Sequence, residues 1–176
     1  ITIQNQLANA GALVLELTGG VVDTLTNAPQ VTVSFLKADL DNLKINTALG
    51  TELTNTYVTL AGAFEDSSAT GNTIAAMSVG LQATGFQADD TRPTVSKYNL
   101  NMDTGVLDIY FDEPIRPAVT ISGFSFQSSA SSPTDVVRLT HSSESTVRTE
   151  GVTTVSVTLD SVDYKAIKAT AGAVGV

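Results

Sequence analysis

The chain has 176 residues and a formal net charge of −9, from 18 acidic and 9 basic side chains, with one histidine and no cysteine or tryptophan. That inventory excludes disulfide scaffolds, thiol catalysis, zinc knuckles and multi-histidine metal centres, and the acidic balance argues against a nucleic-acid partner. Charged residues make up only 15% of the chain, and 41 Ser and Thr residues supply the remaining polarity, a composition that favours β structure.

In chain order, strands are expected at 1–4, at 12–18 and at Val31–Phe35, where Val31, Val33 and Phe35 alternate with Thr32 and Ser34. A short helix is expected over Lys37–Ile45, with Leu40 and Leu43 on one side, Asp39 as its N-cap and Lys44 near its C-terminal end. Strands follow at 57–64, 74–86 and 94–100. Asn101–Gly105 reads as a hairpin loop in which Gly105 adopts positive φ. It leads into a strand whose Leu107, Ile109 and Phe111 alternate with Asp108, Tyr110 and Asp112. Further strands are expected at 119–127, 135–140 and Val155–Leu159, and a second helix over Asp160–Lys168 carries Tyr164 and Ile167. No apolar run reaches the roughly 18 residues that a membrane-spanning helix needs.

Four segments recur in one order at an offset of about 123 residues. Ile1-Thr2-Ile3-Gln4 matches Phe124-Ser125-Phe126-Gln127, and Leu17-Thr18 matches Leu139-Thr140. Val31–Phe35 matches Val155–Leu159, and Asp39–Lys44 matches Asp163–Lys168. The expected organisation is therefore the C-terminal part of one repeat, 1–88, followed by the N-terminal part of the next, 89–176. The cut falls in the polar stretch Ala88-Asp89-Asp90-Thr91-Arg92-Pro93. The first copy lacks the front of the repeat and the second lacks its back. Either neighbouring repeats of a longer polypeptide or another subunit then supplies the missing strands; an arbitrary boundary of the span is the plain alternative. A chain that opens on Ile1, with neither Met nor a leader, is expected to be processed or part of something longer.

Two segments carry a family resemblance. Asp90-Thr91-Arg92-Pro93-Thr94-Val95, followed by Gly105 to Ile115, resembles the opening of bacterial Ig-like domains of the S-layer type, with their D-x-x-P start and G-x-L-x-L-x-F-S-E-x-V strand. Tyr57-Val58-Thr59-Leu60, with Asp66 and then Gly71-Asn72, is similar to the ending of the same domains, with two or three extra residues between the Asp and Gly-Asn. The middle segments look like tandem repeats of large secreted surface proteins. The resemblance implies an all-β fold, an Ig-like antiparallel β-sandwich with short helical turns. It implies use in tandem as a spacer or wall element, and no enzymatic activity.

Candidate sites are few. His141 lies in a polar Ser-rich loop and matches Gly-Gly of the first copy, so it is read as a loop residue and not as part of a hydrolase triad. Asp66, Asp89, Asp90, Asp112 and Glu113 are the candidate metal ligands, because Ca²⁺ takes six to eight oxygens drawn from several carboxylates and carbonyls. The other reading is that these acids solvate turns and cap strand edges. Exposed Thr and Ser rows leave glycan binding as a minor option. The expectation for function is a structural, extracellular repeat protein that assembles with copies of itself head-to-tail into a filament, sheath or surface appendage. The alternative is an adhesin or carbohydrate-binding module carried on such an array, and an enzyme stands a distant third.

Overall fold

The computed structural model describes residues 1–23, 29–116, 119–140 and 153–170, and the backbone of 147–148. It divides the chain into two compact units, Ile1–Thr91 and Arg92–Val176. Both are built mainly of short antiparallel strands, with one nine-residue helix in each.

The first unit contains β1 (Thr2–Gln4), β2 (Val14–Glu16), β3 (Gly20–Asp23), β4 (Thr32–Phe35), α1 (Lys37–Ile45), β5 (Tyr57–Thr59) and β6 (Leu81–Gln82). Strands β2-β1-β5-β6 form one sheet and β3-β4 a two-stranded hairpin. In the sheet Ile3 lies opposite Leu15 on one side and Val58 on the other. In the hairpin Val22 lies opposite Val33.

The second unit contains β7 (Val95–Asn101), β8 (Val106–Phe111), β9 (Ser125–Gln127), β10 (Val136–Arg138), β11 (Val147–Arg148), β12 (Thr154–Thr158) and α2 (Ser161–Ala169). Here β11-β12-β8-β7 form a four-stranded sheet and β9-β10 a hairpin. Alternation along β8 and β12 puts Leu107, Ile109, Val155 and Val157 inward. They share a buried core with Ile121, Val137, Leu139, Leu159 and Ile167, against which Leu100, Met102, Phe111, Phe126 and Tyr164 pack. The loop Asn101–Gly105 is a hairpin turn with Gly105 at φ 70°. Asn101 fixes it by accepting the amides of Asp103 and Thr104 on its side-chain oxygen.

The elements differ from the sequence expectation in four respects, the first being that the strand expected at 119–127 is a 3₁₀ turn at Ile121–Gly123 followed by the three-residue β9. The expected strands 57–64 and 74–86 shrink to β5 and β6, because the chain turns at Gly62, where φ is 60°, and again at Gly71. The intervening segments keep only an irregular ladder, with Met77 N–H donating to Leu60 O and Ile74 N–H to Phe64 O. Strands β3 and β11 carry no clear alternation and were not expected. The helices also differ in their caps. Asp160 caps α2, its side chain accepting the Val162 amide at 2.6 Å. The N-cap of α1 is Leu36, and Asp39 lies within the first turn instead.

Candidate functional site

Asp39 leaves the cap position because it holds another element. Its buried carboxylate accepts the Thr18 amide and the Thr18 hydroxyl, both at 2.9 Å. The second unit has the same clamp: buried Asp163 accepts the Thr140 amide at 2.9 Å and the Thr140 hydroxyl at 3.1 Å. Each clamp ties the first turn of a helix to the end of the second strand of a hairpin. A charge this buried is tolerable because two donors satisfy it. Sequence reasoning matched these residues pairwise but did not assign them this role. The signal was present in the order Leu-Thr, then a strand, then Asp in a helix.

The clamps fix a common frame for comparing the units. Each has a hairpin (β1-β2 or β9-β10), then a hairpin (β3-β4 or β11-β12), then a helix. Outside that frame they differ in a reciprocal way. In the second unit β12 pairs with β8, and Val155 and Val157 are 1% and 0% exposed. In the first unit β4 pairs with β3 alone among the described residues. Of the matching residues, Val31 is 38% exposed and Val33 half-buried, and Phe35 is 37% exposed where its counterpart Leu159 is 7%. The matched side chains are thus buried where a strand covers them and more exposed where, among the described residues, none does. An open edge leaves ladder groups as well as apolar side chains to solvent, and burying each such side chain fully is worth about 1.5–3 kcal/mol.

At the other hairpin the relation is reversed. In the first unit β5 covers β1, and Ile3 and Gln4 are buried. The Gln4 amide donates to the Gln6 carbonyl at 2.7 Å and to Asn9 Oδ1 at 3.1 Å. In the second unit β9 pairs with β10 alone among the described residues, Phe126 is half-buried and Gln127 is exposed. Each of these edges borders a groove, apolar in the first unit and of mixed polarity in the second. The groove of the first unit, about 500 Å³, is lined by Ile3, Val31, Val33, Phe35, Val58 and Phe64, among others. The groove of the second, about 420 Å³, is lined by Tyr98, Leu107, Ile109, Phe124 and Phe126, among others.

The candidate metal ligands are dispersed over the two units. Asp66 holds a loop tip: its carboxylate accepts the Ser68 hydroxyl at 2.6 Å and amide at 3.1 Å, and the Asn72 amide at 3.0 Å and side-chain NH₂ at 2.9 Å. These bonds, the Asn72 amide first, hold its carboxyl far below the usual carboxylate range. Asp89 forms an ion pair with Lys44 at 2.8 Å and accepts the Thr91 amide at 3.2 Å. Asp90 is exposed beside it. In the second unit Asp112 accepts the Thr94 amide at 2.8 Å and hydroxyl at 2.6 Å, fastening the start of β7 to the end of β8. Glu113, next in the chain, is buried. Among the described residues no three His, Asp or Glu side chains gather into a group that could hold a metal ion. His141 lies outside the described residues. No described helix is long and apolar enough to cross a membrane.

A scan against protein-family models finds no match, and searches of curated proteins and of solved structures find none either.

Proposed function

We propose that this chain belongs to a structural, non-enzymatic extracellular protein made of tandem Ig-like β-sandwich repeats. The units stack head-to-tail into a filament, sheath or surface appendage. The observation that carries this reading is a reciprocal difference between the two units: among the described residues, β4 of the first and β9 of the second each pair with one strand only. Units of this kind complete each other along a line, and a head-to-tail contact that does not close generates an open array and not a ring. The four sequence matches at a spacing of about 123 residues and the resemblance to S-layer-type repeats support the same reading. So does an acidic, Ser/Thr-rich surface whose charge keeps such an array soluble.

Immunogold electron microscopy with an antibody raised to the exposed 65–73 loop tests it. Label at regular intervals along an extracellular filament or wall is the expected result. Label inside the cell, or confined to one end of an appendage as an adhesin would be, contradicts it.

A further inference from the structure

The second unit shows what the open edge of the first is shaped to receive. In that unit β12 takes β8 in one register: Val155 opposite Ile109, Ser156 opposite Asp108, Val157 opposite Leu107 and Thr158 opposite Val106. Three contacts outside the ladder lock that register. The Ser156 hydroxyl donates to Asp108 at 2.5 Å, and the Leu159 amide donates to the Gly105 carbonyl at 2.9 Å. The Tyr164 hydroxyl of α2 donates to the Met102 carbonyl, with the Tyr164 ring against Gly105.

Resting on the repeat reading above, we propose that the groove beside β4 is the acceptor site for a β-hairpin of the β7-β8 kind contributed by a further repeat unit. The hairpin pairs with β4 in the register Val31 opposite Ile109, Thr32 opposite Asp108, Val33 opposite Leu107 and Ser34 opposite Val106 of the donor. The first two of the three locking contacts have a counterpart in the acceptor, and the third, the Tyr164 hydroxyl bond, has none, because Leu40 carries no donor. Thr32 offers the hydroxyl that Ser156 offers, and the Phe35 amide stands where the Leu159 amide does. Leu40, at the position of Tyr164, is 40% exposed on α1 and covers the donor glycine. The inner face of such a hairpin, carrying Leu100, Met102, Leu107, Ile109 and Phe111 in the second unit, supplies apolar surface to cover the apolar lining of the groove. The donor is an additional hairpin, because the β7-β8 pair of this span already covers β12, and moving it would uncover one edge to cover another. Strand addition of this type draws affinity from main-chain hydrogen bonds and specificity from alternate side chains seated in pockets.

The test uses the full 176-residue chain, which has no cysteine of its own, and a synthetic peptide spanning residues 92–115. A Thr32→Cys chain is expected to form a disulfide with the peptide bearing Asp108→Cys, and a Ser34→Cys chain with the peptide bearing Val106→Cys. A Ser156→Cys chain, whose strand is already covered, serves as the background. With unmodified chain and peptide, a peptide at about ten times its Kd slows amide exchange at Val33 about tenfold, since occupancy protects by mass action. Crosslinks no faster than the Ser156→Cys background, crosslinks in a register shifted by one residue, or unchanged Val33 exchange overturn the proposal. Covalent polymers of a Thr32→Cys/Asp108→Cys chain without peptide would instead assign the groove to a second copy by exchange, and also overturn it. The electron microscopy above is read on native material without peptide, so the two readings fail separately.

Discussion

Replacing Asp39 with Ala removes the acceptor of two hydrogen bonds, from the Thr18 amide and hydroxyl, each at 2.9 Å. Hydrogen bonds to charged groups contribute about 1.5–3 kcal/mol each. Thr18 itself is exposed, so water re-satisfies part of what it loses, and the low end applies. The expected cost is about 2–3 kcal/mol, which corresponds to a rise of about thirtyfold to 150-fold in the opening equilibrium. Thr18→Val removes the hydroxyl bond alone and is expected to cost about half as much. Amide exchange at Thr18, followed by NMR, reads this opening directly, and urea denaturation followed by the NMR signals of first-unit amides reads the whole unit. A Thr18→Val/Asp39→Asn cycle should return a coupling energy of at least about 0.5 kcal/mol, as bonded neighbours do. Asp163→Ala, read at the Thr140 amide, should behave in the same way in the second unit. An Asp39→Ala effect within about 0.5 kcal/mol, typical of a surface substitution, would refute the claim that the clamp ties helix to strand.

The Asp66 carboxyl is held below its ordinary value of 3.8 in the folded chain, so the stability it contributes is present above that pH and is lost only as pH falls through the lower, folded value. The Ser68 and Asn72 amide shifts should therefore stay constant through pH 3.8, and a midpoint at that pH would contradict the loop geometry. Gly80→Ala should destabilise the first unit by about 1–3 kcal/mol in urea denaturation, because the added Cβ would lie 2.7 Å from the buried Gln4 side-chain nitrogen and 3.0 Å from Tyr57 Cβ; a neutral effect would show that β5 and β6 are not held as described. EDTA or added Ca²⁺ should move the melting temperature by less than about 1 °C, since a folded-state ligand stabilises by mass action and the carboxylates of Asp66, Asp89 and Asp112 are engaged by Asn72, Lys44 and Thr94. A rise of several degrees with Ca²⁺ would reverse that conclusion.

Strands with strict alternation were legible in the sequence. Leu107, Ile109, Val155 and Val157 face one core because the period of two fixes which side chains share a face. The turn at Gly105 was legible for a similar reason, since positive φ favours glycine. Strands β3 and β11 were not, because they are set by pairing with β4 and β12 and not by their own pattern. The clamp was half legible. The match of Thr18 with Thr140 and of Asp39 with Asp163 was readable, but the contact spans 21 residues in one unit and 23 in the other. Local capping rules therefore assigned Asp39 to the helix start. The open edges were readable only as missing segments, and the exposed face of β4 against the buried face of β12 required the three-dimensional pairing.

A cryo-EM reconstruction of native assembled material tests the central claim most directly. The account predicts units repeating along one axis, with a two-stranded hairpin on the free edge of every β4 and a further strand on the free edge of every β9. A map in which both edges remain open to solvent, or in which the units close into a ring or a two-fold dimer, would contradict it.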